Sequence, residues 1–293
     1  MDLAILDYDF MRRALLAAAM VGLAAPVVGG FIVQRGLSLI GDGLGHVALA
    51  GVAAGLLTRR SPVLTALVAA VVAAVVIEVV RWRGRTNGDV ALAVIFYGGI
   101  AGGVVLISQA PGGSAANLNT YLFGAITTTS AADVRTFAVL AAVLLVAVLL
   151  LRPWFFAVSN DEEYTRAVRL PALALNCLLA SLTAVTVVLS MRTVGLLLIS
   201  ALMVVPVACA QRVCRSFTTT LLTACTVGLV CSLAGVTTSF YADTPSGGTI
   251  VLMALAAFLL AVVVGAPLAG LRRRRLTPPV APMTVAVPAH DVP

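Results

Sequence analysis

Long apolar segments constrain this 293-residue chain more than any other feature. Each segment is close to the roughly 20 residues that an α-helix needs to cross the hydrocarbon core of a bilayer. Hydrophobic residues make up 61% of the chain and charged residues only 11%, whereas about 25% of a soluble domain is charged. The sequence therefore predicts a polytopic integral membrane protein with spans at 12–33, 38–58, 62–81, 90–110, 132–152, 171–190, 193–211, 217–239 and 249–270.

The spans are predicted to be α-helices. A helix satisfies its own backbone groups in lipid, and the alternating pattern of a transmembrane β-barrel is not visible. Segment 193–211 is the weakest, because Pro206 favours a break or a kink. The expected fold is an all-α bundle of about eight or nine transmembrane helices in one domain, 1–271, followed by a disordered cytoplasmic tail, 272–293, that is rich in arginine and proline.

Arginines at the ends of the apolar segments predict the orientation. All 19 basic residues are arginines, and their position beside the spans accounts for the net charge of +7 without nucleic-acid binding. A cytoplasmic C-terminus agrees with the positive-inside rule, because it places 13 arginines inside and six outside and puts the N-terminus outside. The inside set is Arg35, Arg81, Arg83, Arg85, Arg152, Arg166, Arg169, Arg212, Arg215, Arg272, Arg273, Arg274 and Arg275.

The absence of lysine from the sequence excludes ATP hydrolysis by a P-loop of this chain. A P-loop needs a lysine that reaches the phosphates of the nucleotide, and this chain has none. If ATP drives transport here, another polypeptide must hydrolyse it.

Asp42 and His46 are the most informative polar residues, because they lie inside the second predicted span. Their spacing places both side chains on one face of a helix, about one turn apart. A polar group in a span usually faces a partner or a wet cavity, and Asp with His is a suitable ligand pair for a divalent transition metal. Two interpretations stay open from the residues alone: a transient metal site, or an Asp–His hydrogen bond between helices.

A polar stretch at 159–170 forms the second candidate site. Asp161 is predicted to cap a short helix that carries Glu162 and Glu163 in its first turn. The stretch is either a solvated loop helix or a docking element for a cytoplasmic subunit. Glu78, one turn before Arg81, is expected to pair with an arginine or to reach the membrane surface.

Four stretches of the sequence carry a resemblance to a known family. They are GDGLGHVALAG within 38–55, YLFG at 121–124, GLLLISALMVVPVACA at 195–210 and SFYADTPSG at 239–247. In this order and spacing they resemble the permease subunits of the zinc/manganese ABC importers, the ABC-3 family. The resemblance covers about residues 10 to 270.

That resemblance implies a function and a set of partners. The chain would be the permease of an importer for Zn²⁺ or Mn²⁺ in a bacterial plasma membrane, with no permanently bound cofactor and no enzymatic activity of its own. Its partners would be a cytoplasmic ATP-binding subunit, an extracellular metal-binding solute receptor, a second permease copy and membrane lipid, but no nucleic acid. Asp42 and His46 match the family residues that coordinate the ion in the permeation path.

The same resemblance makes 159–170 the cytoplasmic segment that couples the permease to the ATPase. Its candidate residues depart from the family pattern, because Asp-Glu-Glu replaces Asp-Pro-Glu, Thr165 replaces a small residue and Arg169 replaces a glycine. Those candidate coupling residues are Asp161, Glu162, Glu163, Tyr164 and Arg166.

Two alternative functions compete with that of an ABC permease. In a proton-coupled secondary transporter, Asp42 and His46 would relay protons. An intramembrane metalloprotease is disfavoured, because the chain has no His-Glu-x-x-His motif and only one histidine in a span.

Overall fold

Helices make up nearly all of the computed structural model, which describes residues 7–84, 88–109, 122, 124, 130–191 and 194–276. No strand occurs among these residues. The helices described over their length are α1 (Asp9–Gln34), α2 (Ile40–Leu57), α3 (Pro62–Trp82), α4 (Gly88–Ser108), α5 (Ala131–Asn160), α6 (Glu162–Ala167), α7 (Ala172–Ser190), α8 (Leu196–Val213), α9 (Phe217–Ala242) and α10 (Ser246–Leu276).

The predicted all-α membrane bundle is confirmed. Eight helices in the described ranges are long and apolar enough to cross a bilayer, and α8 contributes a shorter apolar segment, Leu198–Val213. Pro206 lies inside α8 without ending it, since the helix continues to Val213. The family-like stretch at 121–124 lies largely outside the described residues.

Two predicted boundaries differ from the structure. The span expected at 132–152 continues as α5 to Asn160 across Pro153. Proline costs about 3 kcal/mol in a helix interior, and the burial of Phe155 and Val158 just beyond it offsets that cost.

The tail predicted to be disordered from 272 begins with helix, because α10 extends to Leu276. Arginine is a good helix former, and cations are favourable near a helix C-terminus. Residues 277–293, including His290, lie outside the described residues.

Helix α1 lies at the centre of the bundle and packs against α5, α7, α8 and α9. On one side of this centre, α2 packs against α3, α4, α7 and α8, and on the other α10 packs against α8 and α9. The largest fully buried side chains include Phe31, Phe155, Ile40, Leu44 and Leu202.

One end of the bundle, here called the basic end, gathers the C-termini of α1, α3, α5 and α8 and the N-termini of α2, α4, α7 and α9. Gln34 Nε2 donates to Asn160 Oδ1 at 3.2 Å and joins α1 to α5, and Arg152 donates to Thr218 and joins α5 to α9. Arg35, Arg81, Arg152 and Arg166, which the sequence assigns to one side, lie at this end of the described fold.

Glycines allow neighbouring helices to approach closely, as the small-residue pairs predict. A Cβ on Gly51 would lie 2.6 Å from Ala66 Cα on α3, and one on Gly99 would lie 2.7 Å from Val47 N on α2. Gly98 and Gly102 differ, because open space surrounds them in the structure. Helix α4 therefore presents one glycine face to α2 and leaves the other uncovered.

We expect Gly29→Ala to destabilise the bundle by about 1–3 kcal/mol, the usual cost of overpacking. A Cβ at this position on α1 would overlap the Met203 carbonyl oxygen of α8, and a backbone atom cannot move aside without shifting its helix. Thermal unfolding in detergent, followed by tryptophan fluorescence, measures the effect.

Its neighbour Gly30 supplies the matched control. A Cβ there would meet only Leu221 Cδ1, at 2.8 Å, which is the end of a flexible side chain. Gly30→Ala should therefore lower the unfolding midpoint much less. Equal shifts for the two variants would contradict the packing of α1 on α8 described here.

Candidate functional site

Asp42 and His46 lie at the start of α2, where the helix begins at the basic end. Both side chains are half-buried. They face a cavity of about 310 Å³ between α2 and α4, which Leu92, Phe96 and Tyr97 also line. The helix periodicity predicted a common face for the two residues, and the structure gives that face an open space.

Asp42 is held by another helix rather than by His46. Ser200 on α8 donates a hydrogen bond from its Oγ to Asp42 Oδ1, and Gly41 permits this approach, since a Cβ there would lie 3.1 Å from Ser200 Cβ. No Asp42–His46 hydrogen bond occurs in the described residues, so the alternative of an Asp–His bond joining helices has no support in this structure.

The imidazole of His46 is positioned by an aromatic ring. Phe96 on α4 meets it edge to face, with ring centroids 4.7 Å apart and planes at 80°. Among the described residues none forms a hydrogen bond with the ring nitrogens of His46. A neutral imidazole held in this way keeps a nitrogen lone pair available for a ligand in the cavity.

Asp89 lines the same cavity. It lies in the first turn of α4, at nearly the same helical position as Asp42 in α2. Both helices begin at the basic end, so the predicted topology placed the two carboxylates at a similar depth. It did not show that α2 and α4 are neighbours, and that packing creates the shared site.

Three polar side chains around a cavity do not make a closed metal cage here. Within the described part of the chain, no group of three His, Cys, Asp or Glu residues is close enough to hold an ion. Structural zinc sites have four protein ligands. An open set of two or three oxygen and nitrogen donors is instead suited to brief, partly hydrated binding.

The candidate coupling segment forms α6, a helix of six residues. Asp161 caps it as predicted, because its Oδ1 accepts a hydrogen bond from Tyr164 N at 2.8 Å. Arg166 donates to Glu162 Oε1 at 2.6 Å along the same helix. Glu163 and Tyr164 project outward, with Tyr164 59% exposed.

Two of the three departures from the family pattern, Thr165 and Arg169, have clear structural roles. Thr165 is fully buried and donates its hydroxyl to Asp161 O at 2.7 Å, which tightens the turn. Arg169 adopts a left-handed backbone with φ of 60° just after the helix. That conformation favours glycine, so the family glycine has been replaced without losing the turn that requires it.

Glu78 forms ion pairs, as expected, and it is deeply buried. Its Oε2 accepts from Arg35 at 3.0 Å and from Arg81 at 2.8 Å. This cluster lies at the basic end, between the cavity and α6. Helix α6 itself packs against α5 and α7.

Comparison with known proteins identifies the family of the chain. Residues 7–265 match the model of the ABC 3 transport family. The chain is 31% identical over 258 residues to a manganese transport system membrane protein, MntC, of Halalkalibacterium halodurans, covering 88% of each chain. It is 30% identical over 256 residues to YfeD of Yersinia pestis, a chelated iron transport system membrane protein, covering 87% of this chain and 86% of the relative.

A solved structure has the same fold. PsaBC from Streptococcus pneumoniae, determined in complex with Fab, matches with a TM-score of 0.80 at 28% identity. The match covers 89% of this chain and 95% of that one.

Proposed function

The chain belongs to the ABC 3 transport family, and from that membership we propose that it imports a divalent transition metal, Mn²⁺ in the first place, into a bacterial cell. It is a multi-pass membrane permease, and the ATP-hydrolysing subunit is a separate polypeptide. The observation that carries the proposal is the cavity that Asp42, His46 and Asp89 line. Oxygen and imidazole nitrogen donors suit Mn²⁺, Fe²⁺ and Zn²⁺ alike.

The residues at the cavity have different roles in binding and releasing the ion. Asp42 and His46 supply the donors, Ser200 holds the carboxylate and Phe96 fixes the imidazole plane. Asp89 adds negative charge to the cavity. Conduction requires a site strong enough to admit the ion and weak enough to release it, and an incomplete ligand set meets that requirement.

In this proposal the basic end faces the cytoplasm. The positive-inside rule supports it, since Arg35, Arg81, Arg152, Arg166 and Arg215 lie at that end. The C-terminus is then cytoplasmic, and the membrane is the plasma membrane. Residues 1–271 act as a single permease domain, segment 159–170 contacts the ATPase, and 272–293 extends into the cytoplasm as a tail.

The metal contents of cells with and without the gene test the function. We expect the mutant to contain less manganese than the parent when manganese is limiting, measured by inductively coupled plasma mass spectrometry. A lower zinc content of the mutant under zinc limitation, or a lower iron content under iron limitation, would identify that metal as the substrate. Unchanged contents of all three metals would contradict the proposal.

We further propose that two copies of the chain pair through the uncovered face of α4. Val94, Tyr97 and Val105 are exposed on this helix, and Gly98 and Gly102 have open space beside them. The cavity of Asp42 and His46 borders the same face through Tyr97. A second copy would bring another pair of ligands toward the first, which compensates for the incomplete set on one chain.

Disulfide cross-linking in membranes tests this pairing. In a background with the five native cysteines replaced, Tyr97→Cys should yield a covalent dimer on mild oxidation. Leu150→Cys, on the lipid-exposed face of α5 with 74% exposure, is the matched control and should remain monomeric. Equal cross-linking at both positions would contradict a dimer through α4.

A further inference from the structure

A buried ion triad joins two elements at the basic end: the residue that follows α1, and the last turns of α3. Glu78 Oε2 lies 3.0 Å from Arg35 Nη2 and 2.8 Å from Arg81 Nη1. The side chains of Arg35 and Glu78 are only 4% and 1% exposed, and that of Arg81 is 21% exposed. Charges this deep need their partners, because an unpaired buried charge is very unfavourable.

Stability alone is a weak explanation for this triad. Buried ion pairs contribute little compared with an apolar replacement of the same shape, because desolvation offsets their attraction. The hydrogen bonding of the buried charged groups is also incomplete here, since Glu78 Oε1 and Arg35 Nη1 are buried with no hydrogen-bond partner in the described structure. A role in connecting two parts of the fold is a reason for the protein to retain a buried ion cluster that adds little stability.

One side of the triad leads to α6. Trp82 follows Arg81 at the end of α3, and the guanidinium of Arg166 on α6 lies 3.9 Å from the centre of its ring. This is a cation–π contact. Movement of α6 therefore acts on the same turn of α3 that carries Glu78 and Arg81.

The other side of the triad leads to the cavity. Arg35 is the first residue of the short connection to α2, and that connection is held by hydrogen bonds from Leu37 N to Ile32 O at 3.1 Å and from Ile40 N to Leu37 O at 3.0 Å. Helix α2 begins at Ile40, with Asp42 in its first turn. A shift of Arg35 is therefore transmitted through this hydrogen-bonded connection to Asp42, which binds metal in the proposed site.

We propose that Glu78 is a positioning residue that transmits the movement of α6 to Asp42 at the start of α2. The inference rests on the proposed function and names the path by which that function is driven. When the ATPase displaces α6, Arg166 moves Trp82 and the end of α3, Glu78 moves with them, and its bond to Arg35 shifts the start of α2. The Asp42 carboxylate then moves relative to Ser200 on α8, which changes the hold on the ion.

The test uses the permease purified with its ATPase and solute receptor and reconstituted into liposomes. Both ⁵⁴Mn²⁺ uptake and ATP hydrolysis are measured, with Glu78→Gln as the variant. We expect the number of Mn²⁺ ions moved per ATP to fall by about 2- to 30-fold, the range found when coupling residues are changed. Binding of Mn²⁺ to the purified permease should stay at the wild-type level, because the cavity residues are intact.

Two further variants separate coupling from simple destabilisation. Trp82→Leu removes the surface on which Arg166 rests and leaves the triad charges in place, so it should lower the same ratio. Thr183→Val removes a buried hydroxyl that bonds only within α7, to Leu179 O at 2.9 Å, and should leave the ratio unchanged. If Glu78→Gln cannot be purified, Trp82→Leu decides the question.

A wild-type ratio in Glu78→Gln or in Trp82→Leu would overturn the inference, and so would an equal loss in Thr183→Val. The absence of ATP-driven ⁵⁴Mn²⁺ uptake by the wild-type complex would instead overturn the proposed function. The two failures are therefore distinguishable.

Discussion

Replacing both Asp42 and His46 with alanine is expected to abolish metal uptake, with a loss of at least about 100-fold. Changes that merely disturb a metal ligand through its neighbours already cost 10–100-fold, and this variant removes the two donors held over the cavity by Ser200 and Phe96. The fold should survive, because both side chains are only half-buried. Uptake of ⁵⁴Mn²⁺ by cells that express equal amounts of each protein is the measurement.

The control variant also replaces one aspartate and one histidine with alanine, but at positions away from the cavity. Asp9 is exposed at the start of α1, and His290 lies in the tail, so an Asp9→Ala, His290→Ala protein should transport normally. Uptake at the wild-type level by the Asp42→Ala, His46→Ala protein would remove these residues from the mechanism.

The same site predicts a pH dependence with a definite sign. Metal binds the neutral imidazole, so protons compete with the ion, and uptake should weaken as pH falls through the pKa of the histidine. His46→Ala should lower uptake at neutral pH and flatten this part of the profile. An unchanged slope in the variant would assign the pH effect to another group.

Loss of the exposed face of α6 is expected to separate the permease from its ATPase. Exposed tyrosines often contribute a large share of the binding energy of an interface, and Tyr164 projects from a helix that Asp161 caps and Thr165 anchors. Tyr164→Ala together with Glu163→Ala should lower the amount of co-purified ATPase, and with it transport, by about tenfold or more.

Tyr241 is the matched control for that experiment. Its side chain is 60% exposed, compared with 59% for Tyr164, but it lies near the C-terminus of α9 at the opposite end of the bundle. Tyr241→Ala should therefore retain the ATPase. If the α6 variant retains as much ATPase as Tyr241→Ala, segment 159–170 is not the docking element.

Features that depend on a single helix were predictable from the sequence. The common face of Asp42 and His46 follows from their spacing of four residues, and the cap formed by Asp161 follows from its position before two glutamates. The length of each apolar segment likewise predicted a membrane span. Each of these signals is local, so no knowledge of neighbouring helices was needed.

Features that depend on which helices meet were not predictable. Asp89 joined the cavity only because α4 packs on α2, and Ser200 became a partner of Asp42 because α8 crosses the same helix. Glu78 had a predicted arginine partner in Arg81, one turn away. Its second partner, Arg35, is 43 residues distant, and nothing in the sequence marks that pairing. Long-range packing also explains why α5 continues past Pro153.

Transport by the purified complex in liposomes tests the central claim most directly. With ATP inside the compartment that faces the basic end, the wild-type permease with its ATPase and receptor should accumulate ⁵⁴Mn²⁺, and a protonophore should not reduce the rate. Omission of ATP or of the ATPase should stop uptake. Uptake that persists without ATP and collapses with the protonophore would contradict the account, because it would make Asp42 and His46 parts of a proton-coupled carrier.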